Sequence, residues 1–166
     1  MILLFYNLLT LDMNIHEKDG EKSGVYTFRS DNGQKEYEWT YKDGEIDGVL
    51  TRWYHDGQKK SEETWKDGKE ISKTEWEYWG NGQKREETNY KDGEIDGLYN
   101  LWYKSGKKWF QKNYKDGELD GLSIFWDREE FLDTKKTYRD GELILQRCFD
   151  VDGNECECSD LGRGCK

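Results

Sequence analysis

The chain of 166 residues contains no proline and no alanine. Without proline its strands run uninterrupted, and without the best helix former a helical reading is weak. Large aliphatic residues are scarce as well. Leu, Ile, Val and Phe supply 30 positions, about 18 %, beside a net charge of −10. That pairing is the usual signature of disorder. Histidine occurs only at His16 and His55, neither near a cysteine or serine constellation that would make a nucleophile or a metal cage. A basic stripe is missing too, which argues against a nucleic-acid partner and against electrostatic adsorption to anionic lipid. No apolar run approaches the ~20 residues needed to span a bilayer.

What is present reverses the disorder reading. There are 8 Trp and 11 Tyr, residues that bury large areas and are scarce in disordered chains. Apolar content that is aromatic rather than aliphatic suits a pleated, half-buried surface better than a thick core. The composition therefore predicts an ordered, all-β chain.

The tripeptide Lys-Asp-Gly, once Arg-Asp-Gly, ends at Gly20, Gly44, Gly68, Gly93, Gly117 and Gly141. A period of 24 or 25 residues marks an array of stacked supersecondary units rather than one central core. A second turn series lies between these: Asn32-Gly33, Asp56-Gly57, Asn81-Gly82 and Ser105-Gly106. Asn-Gly and Asp-Gly are strong hairpin signals, because both central residues of a type I′ turn need φ > 0. Two strands and two turns make one unit. The strands alternate with period two, as in Tyr37, Trp39 and Tyr41 against Glu36, Glu38 and Thr40. Val49, Thr51 and Trp53 share one face, and Leu50, Arg52 and Tyr54 the other. Aromatics on both faces predict an elongated antiparallel β-meander of about 12 strands in a twisted, largely single-layer sheet.

Aromatics also precede five of the six turns, at Tyr41, Trp65, Tyr90, Tyr114 and Tyr138, and should form a ladder along the array. Interspersed Lys and Glu, as in Lys59–Glu63, guard exposed edges against pairing with other chains, although edge-to-edge self-association stays open. Two units break the rule. The third carries an extra residue within Ser72–Trp79, and the fifth has Glu129-Glu130 where Asn-Gly is expected, which predicts a different turn there. Three regions follow: an N-terminal apolar segment, edge strand or tail over 1–17; a repeat array over 18–147; and a cysteine-rich tail or cap over 148–166.

Tyr-Lys-Asp-Gly-Glu-Ile-Asp-Gly at Tyr41–Gly48 and Tyr90–Gly97, followed by Trp53-Tyr54 and Trp102-Tyr103, resembles the variant MORN repeat. Asn-Gly-Gln-Lys at Asn32–Lys35 and Asn81–Lys84 does so too. The resemblance covers roughly Lys18 to Asp150 and extends to the YwqK-type antitoxin family of bacteria. It implies hairpin repeats in an elongated sheet, proteins or phospholipid headgroups as partners, and no catalytic residues. The chain's acidity sits badly with the lipid role.

The candidate partner-binding residues are Trp53, Trp102 and Trp126, which recur along the array, with Trp76 or Tyr78 in the third unit's place. The competing reading is that these rings are the core of a thin protein. Cys148, Cys156, Cys158 and Cys165 crowd the C-terminus. Their Cys-x-Cys spacing fits a zinc site poorly, so free thiols and disulfides are the main alternatives. Asp152-Gly153 reads as one more hairpin turn rather than a calcium loop, because its glycine and the twelfth position are wrong for one. The function expected is a non-catalytic scaffold, without cofactor, that binds another protein of basic character, with an antitoxin-like role. The alternative is a glycan- or envelope-binding module outside the cytoplasm. Ile2–Leu11 lacks a preceding Lys or Arg and a following small-residue cleavage site, so the cytoplasm is the expected location and export the alternative.

Overall fold

A computed structural model of the chain describes residues 11–18, 21–159 and 164–166, so most of the N-terminal apolar run and the turn at Gly20 lie outside the described residues. The chain divides into two compact units, Met1–Lys73 and Thr74–Lys166. The first holds β1 (Leu11–Lys18), β2 (Glu21–Arg29), β3 (Lys35–Lys42), β4 (Glu45–Ile46), β5 (Gly48–Trp53) and β6 (Lys59–Lys66). Strand β7 (Lys69–Tyr78) runs across the division. The second unit holds β8 (Lys84–Lys91), β9 (Glu94–Trp102), β10 (Lys108–Lys115), β11 (Glu118–Leu119), β12 (Gly121–Trp126), β13 (Leu132–Arg139), β14 (Glu142–Phe149) and β15 (Glu155–Cys156). No helix occurs among the described residues.

Each unit is an open antiparallel meander in which sheet order repeats chain order. The two-residue strands β4 and β11 are the first steps of β5 and β12, cut off by bulges at Asp47 and Asp120. There the bulged N–H bonds back to Thr40 O at 3.0 Å and to Asn113 O at 3.1 Å.

The Lys-Asp-Gly and Arg-Asp-Gly turns are type I′. In all five that are described, both central residues have positive φ, with Asp between 47° and 50° and Gly between 72° and 87°. Aspartate tolerates the left-handed region better than most residues, which is why Asp-Gly recurs here. The turn also ties successive hairpins together. Gly44 N donates to Lys22 O at 3.0 Å, Gly68 N to Ile46 O at 3.0 Å, and Gly141 N to Leu119 O at 2.9 Å.

The second turn series differs from the expected type I′. Only its last residue is left-handed, and the bond pattern is a three-residue loop closed by a G1 bulge. Gly33 N donates to Ser30 O at 2.8 Å and Ser30 N to Gln34 O at 2.9 Å, with the same pattern at Tyr54–Gln58, Trp79–Gln83 and Tyr103–Lys107. The Asn or Asp side chain holds the loop from inside, Asn32 Oδ1 accepting from Gln34 N at 3.0 Å. In the fifth unit the turn keeps this geometry, against the expectation of a different type. Glu130 takes the left-handed place at φ 74°, and Asp127 Oδ1 accepts from Glu129 N and Phe131 N, both at 2.9 Å. Asp150-Val151-Asp152-Gly153 is the same hairpin turn again.

The extra residue of the third unit lies before Thr74. Thr74 Oγ1 bonds Asn89 Oδ1 at 2.8 Å and Trp76 Nε1 bonds Glu87 Oε2 at 2.8 Å, so Thr74 occupies the place of Val49 and Leu98. From there to Gly82 the count is regular, and the insertion falls among residues 69–73.

The aromatic ahead of four of the five described I′ turns sits opposite a glycine: Tyr41 against Gly24, Trp65 against Gly48, Tyr114 against Gly97 and Tyr138 against Gly121. These glycines are themselves at positive φ, from 95° to 119°, so a side chain there would be strained as well as in the ring's way. Burial is correspondingly thin. The buried apolar residues are Tyr26, Leu50, Phe110 and Cys148, outnumbered by buried Thr27, Thr51, Ser61, Glu63, Thr88, Asn100, Ser123 and Thr134. Buried Glu63 is matched by Arg52 Nε at 3.2 Å and Trp65 Nε1 at 3.1 Å.

Cysteine ends the array. Cys148 is not in a separate tail but inside β14, fully buried opposite Thr134. Cys148 and Cys156 face each other across β14 and β15, yet each bonds elsewhere, Cys148 to Cys158 and Cys156 to Cys165.

Two outcomes test this architecture. Glu130→Gly should raise the urea midpoint at unchanged m-value, corresponding to a gain in stability of about 0.5–1 kcal/mol. Relief of a left-handed glutamate outweighs the chain entropy that glycine adds. A lower midpoint would show that Glu130 does not hold that conformation. Thiol alkylation of the denatured protein should modify nothing before reduction and four cysteines after it. Reduction should lower stability by about 2–3 kcal/mol for each of these short loops.

Candidate functional site

Four strands that enter a bulged turn carry one of the expected rings four residues before the left-handed position, Trp53, Tyr78, Trp102 and Trp126, whereas β2 has Arg29 there. Strand alternation puts Trp53 on the face of Val49 and Thr51, and Trp102 on that of Leu98 and Asn100. Of the two alternatives weighed for the third unit, Tyr78 therefore fills the repeated place. Trp76 stands two residues earlier on the same face, its indole N–H held by Glu87.

Lysines separate these rings. In the first unit Lys35 Nζ lies 5.6 Å from the Trp53 ring centre. In the second, Lys84 Nζ lies 5.7 Å from Trp76 and 5.6 Å from Trp102, and Lys108 Nζ lies 5.7 Å from Trp102 and 5.8 Å from Trp126. Trp76, Lys84, Trp102, Lys108 and Trp126 thus form one ladder of alternating indole and ammonium. A carboxylate three residues on holds each of the earlier lysines, Glu38 for Lys35, Glu62 for Lys59 and Glu87 for Lys84. The Lys35 hydrogen bond holds the Glu38 carboxyl below its usual range, helped by Thr27. At Glu87 burial pushes the pKa up, but bonds from Lys84, Trp76 and Asn100 outweigh it and the net shift is downward. Lys108 breaks the series, bonded to Gln111 Oε1 at 3.0 Å and Asn100 Oδ1 at 3.2 Å.

At the turn end of the second unit the ladder borders a cleft of about 620 Å³ lined by Trp79, Trp102, Tyr103, Trp109, Ser105 and the cations Lys104 and Arg128. Its walls are braced. Trp79 Nε1 donates to Trp102 O at 3.1 Å and Tyr103 Oη to Trp126 O at 3.2 Å. The rings of Tyr103 and Trp109 stack with centres 5.6 Å apart. Of the five rings expected to bind, only Trp102 lines this cleft. Trp53 belongs to the first unit, and Trp76, Tyr78 and Trp126 do not line it. Tyr103, Trp109 and Arg128 were not among the expected residues. Trp109 sits where the ladder slips between Lys108 and Phe110, so counting by twos along β10 misplaces it. The signal available was in the fourth repeat, where Trp102-Tyr103 is followed by a third ring seven residues after Trp102.

The other face of these strands carries Tyr99, Phe110, Tyr114 and Phe125, with Tyr99 centred 5.6 Å from Phe110 and 6.1 Å from Tyr114. Burial, with the nearby Glu86 carboxylate, pushes the Tyr99 phenol up to about 12. A phenol raised above its unfolded value near 10 binds its proton more tightly when folded. Its contribution to stability is therefore complete below pH ~10 and is lost as pH rises towards ~12. Absorbance titration at alkaline pH should show one tyrosine ionising last, and Tyr99→Phe should remove that step.

No curated protein matches the chain. The family described as MORN repeat variant matches it over residues 22–43, 46–67 and 95–116. Each stretch is one hairpin closed by a bulged turn and ends on the aspartate of a type I′ turn. The hairpins that carry the inserted residue and Glu130 lie outside these stretches. The chain therefore contains variant MORN repeats at three positions, and such repeats are commonly modules of protein–protein or membrane interaction.

Proposed function

We propose that the chain is a non-catalytic scaffold that holds another protein, with the aromatic cleft of its second unit as the anchor. The observation that carries this reading is the cleft, in which four braced rings are held open beside two cations. Among the described residues Arg128 makes no ion pair and no hydrogen bond. Preorganised Trp and Tyr walls supply large contact area at low entropy cost, the character of interface hot spots. The volume, about 620 Å³, is in the range of pockets for drug-sized ligands and can take a few partner side chains together. The overall charge of −10 favours a basic partner at long range, and the resemblance of the repeats supports a toxin that this chain neutralises.

A second reading, a glycan- or envelope-binding module, draws support from the two disulfides. Bonds of this kind persist in oxidising compartments outside the cytoplasm. The disulfides favour such a compartment for this reading, because a reducing one would leave Cys148 and its partners as thiols.

The test is capture from native lysate on the intact protein, beside Trp102→Ala/Trp109→Ala and Trp53→Ala. A captured protein should fall at least tenfold with the double variant and persist with Trp53→Ala. Equal retention by all three would mean the cleft is structural. Quenching of tryptophan fluorescence by soluble cell-wall glycan, lost in the same double variant, would replace the protein reading with the glycan one.

A further inference from the structure

On the face opposite the indole ladder, register sets Tyr99, Lys112, Ser123, Lys136 and Gln146 side by side on β9, β10, β12, β13 and β14. Ser123 lies between the two lysines. Both ammonium groups hang over a single ring, Lys112 Nζ 5.9 Å and Lys136 Nζ 5.6 Å from the centre of Phe125. Lys112 also stands 4.6 Å from the centre of Phe110. Neither lysine makes a hydrogen bond or an ion pair among the described residues. On the other face, by contrast, Lys35, Lys59, Lys84 and Lys108 each have an oxygen partner. Glu86, on the same face, lies on β8 and takes the Thr88 hydroxyl proton instead.

A second, independent observation lies between them. Ser123 is fully buried, and its Oγ has no hydrogen-bond partner. A buried hydroxyl left unpaired is destabilising by about 1–3 kcal/mol, so such groups call for an explanation. Two like charges over one ring, with no counter-charge, are unfavourable for the same fold. Burial and the neighbouring Lys136 both hold the Lys112 ammonium below its usual pKa. One oxyanion would answer all of these.

We infer that Lys112, Lys136 and Ser123 form a carboxylate-binding site on the aromatic floor of Phe110 and Phe125. A carboxylate fits better than a phosphate. The row offers two single charges and one hydroxyl donor, without the guanidinium fork or free backbone N–H cluster that holds a multiply charged phosphate. Its two oxygens can take one ammonium each, while the adjacent Phe110 and Phe125 rings pack against the carbon that bears it. The site stands apart from the aromatic cleft, so it does not depend on the protein-scaffold reading. The carboxylate can come from a free dicarboxylate or from an Asp or Glu side chain of a partner.

Competitive lysine acetylation of the intact protein, read peptide by peptide by mass spectrometry, tests this. Glutarate, as the free probe, and an end-blocked glutamate peptide, as the side-chain probe, should each slow labelling of Lys112 and Lys136 at least fivefold. Lys135, which lies on the other face near Phe149, should label at its original rate. Protection by glutarate alone would identify a small molecule as the source, and protection by both a side chain. Lys136→Met, which keeps the apolar stem, should abolish protection at Lys112. Inorganic phosphate at equal ionic strength should protect less than twofold. Equal slowing of all three lysines, protection by phosphate as strong as by glutarate, or protection that survives Lys136→Met would overturn the assignment.

Discussion

Everything in this molecule rests on a pair of consecutive left-handed residues. Asp43-Gly44 and its counterparts turn the chain in two residues, which leaves the next strand nowhere to go but beside the last. Chain order and sheet order then coincide, and parallel crossovers and buried central strands do not arise. The turn glycine also donates its N–H to the strand of the preceding hairpin, as Gly68 does to Ile46. The same atoms that reverse the chain therefore fix the spacing between repeats.

A sheet built this way has little interior. Its stability comes from rings laid across glycines, from lysines over indoles, and from buried hydroxyls such as those of Thr27, Ser61 and Thr88, which bond carboxylates of the sheet. Core and surface are largely the same residues. This is why Trp102 both steadies the neighbouring lysines and walls the cleft. Local breaks in the repeat do the differentiating. Gln111 in place of a glutamate alters the ladder at Lys108, and Trp109 stands at the bulge position that Glu36 and Lys60 hold in other hairpins.

The period, the all-β class and the antiparallel meander were legible because one tripeptide has one backbone meaning wherever it recurs. The second turn was less so. Asn-Gly serves a two-residue type I′ loop and a three-residue bulged loop equally well, and only the bonds at Ser30 and Gln34 distinguish them. Glu130 hid the fifth turn because Asp127, two positions outside the expected dipeptide, supplies the bonds. The ring stripe could be read by alternation up to each bulge and no further, which recovered Trp102 and lost Trp109. Four cysteines allow three pairings, and spacing does not choose among them. The fold chooses by folding β15 back on β14, and even then the cross-strand neighbours Cys148 and Cys156 take other partners.

Pairing only between sequence neighbours has a kinetic meaning. Low contact order favours fast folding, and an array that gains its contacts one hairpin at a time also loses them from its ends inward. The C-terminal strands are cross-linked through Cys148–Cys158 and Cys156–Cys165. Fraying from that end therefore stalls at β14, so the Lys112–Lys136 row is among the last parts of its unit to open from that side.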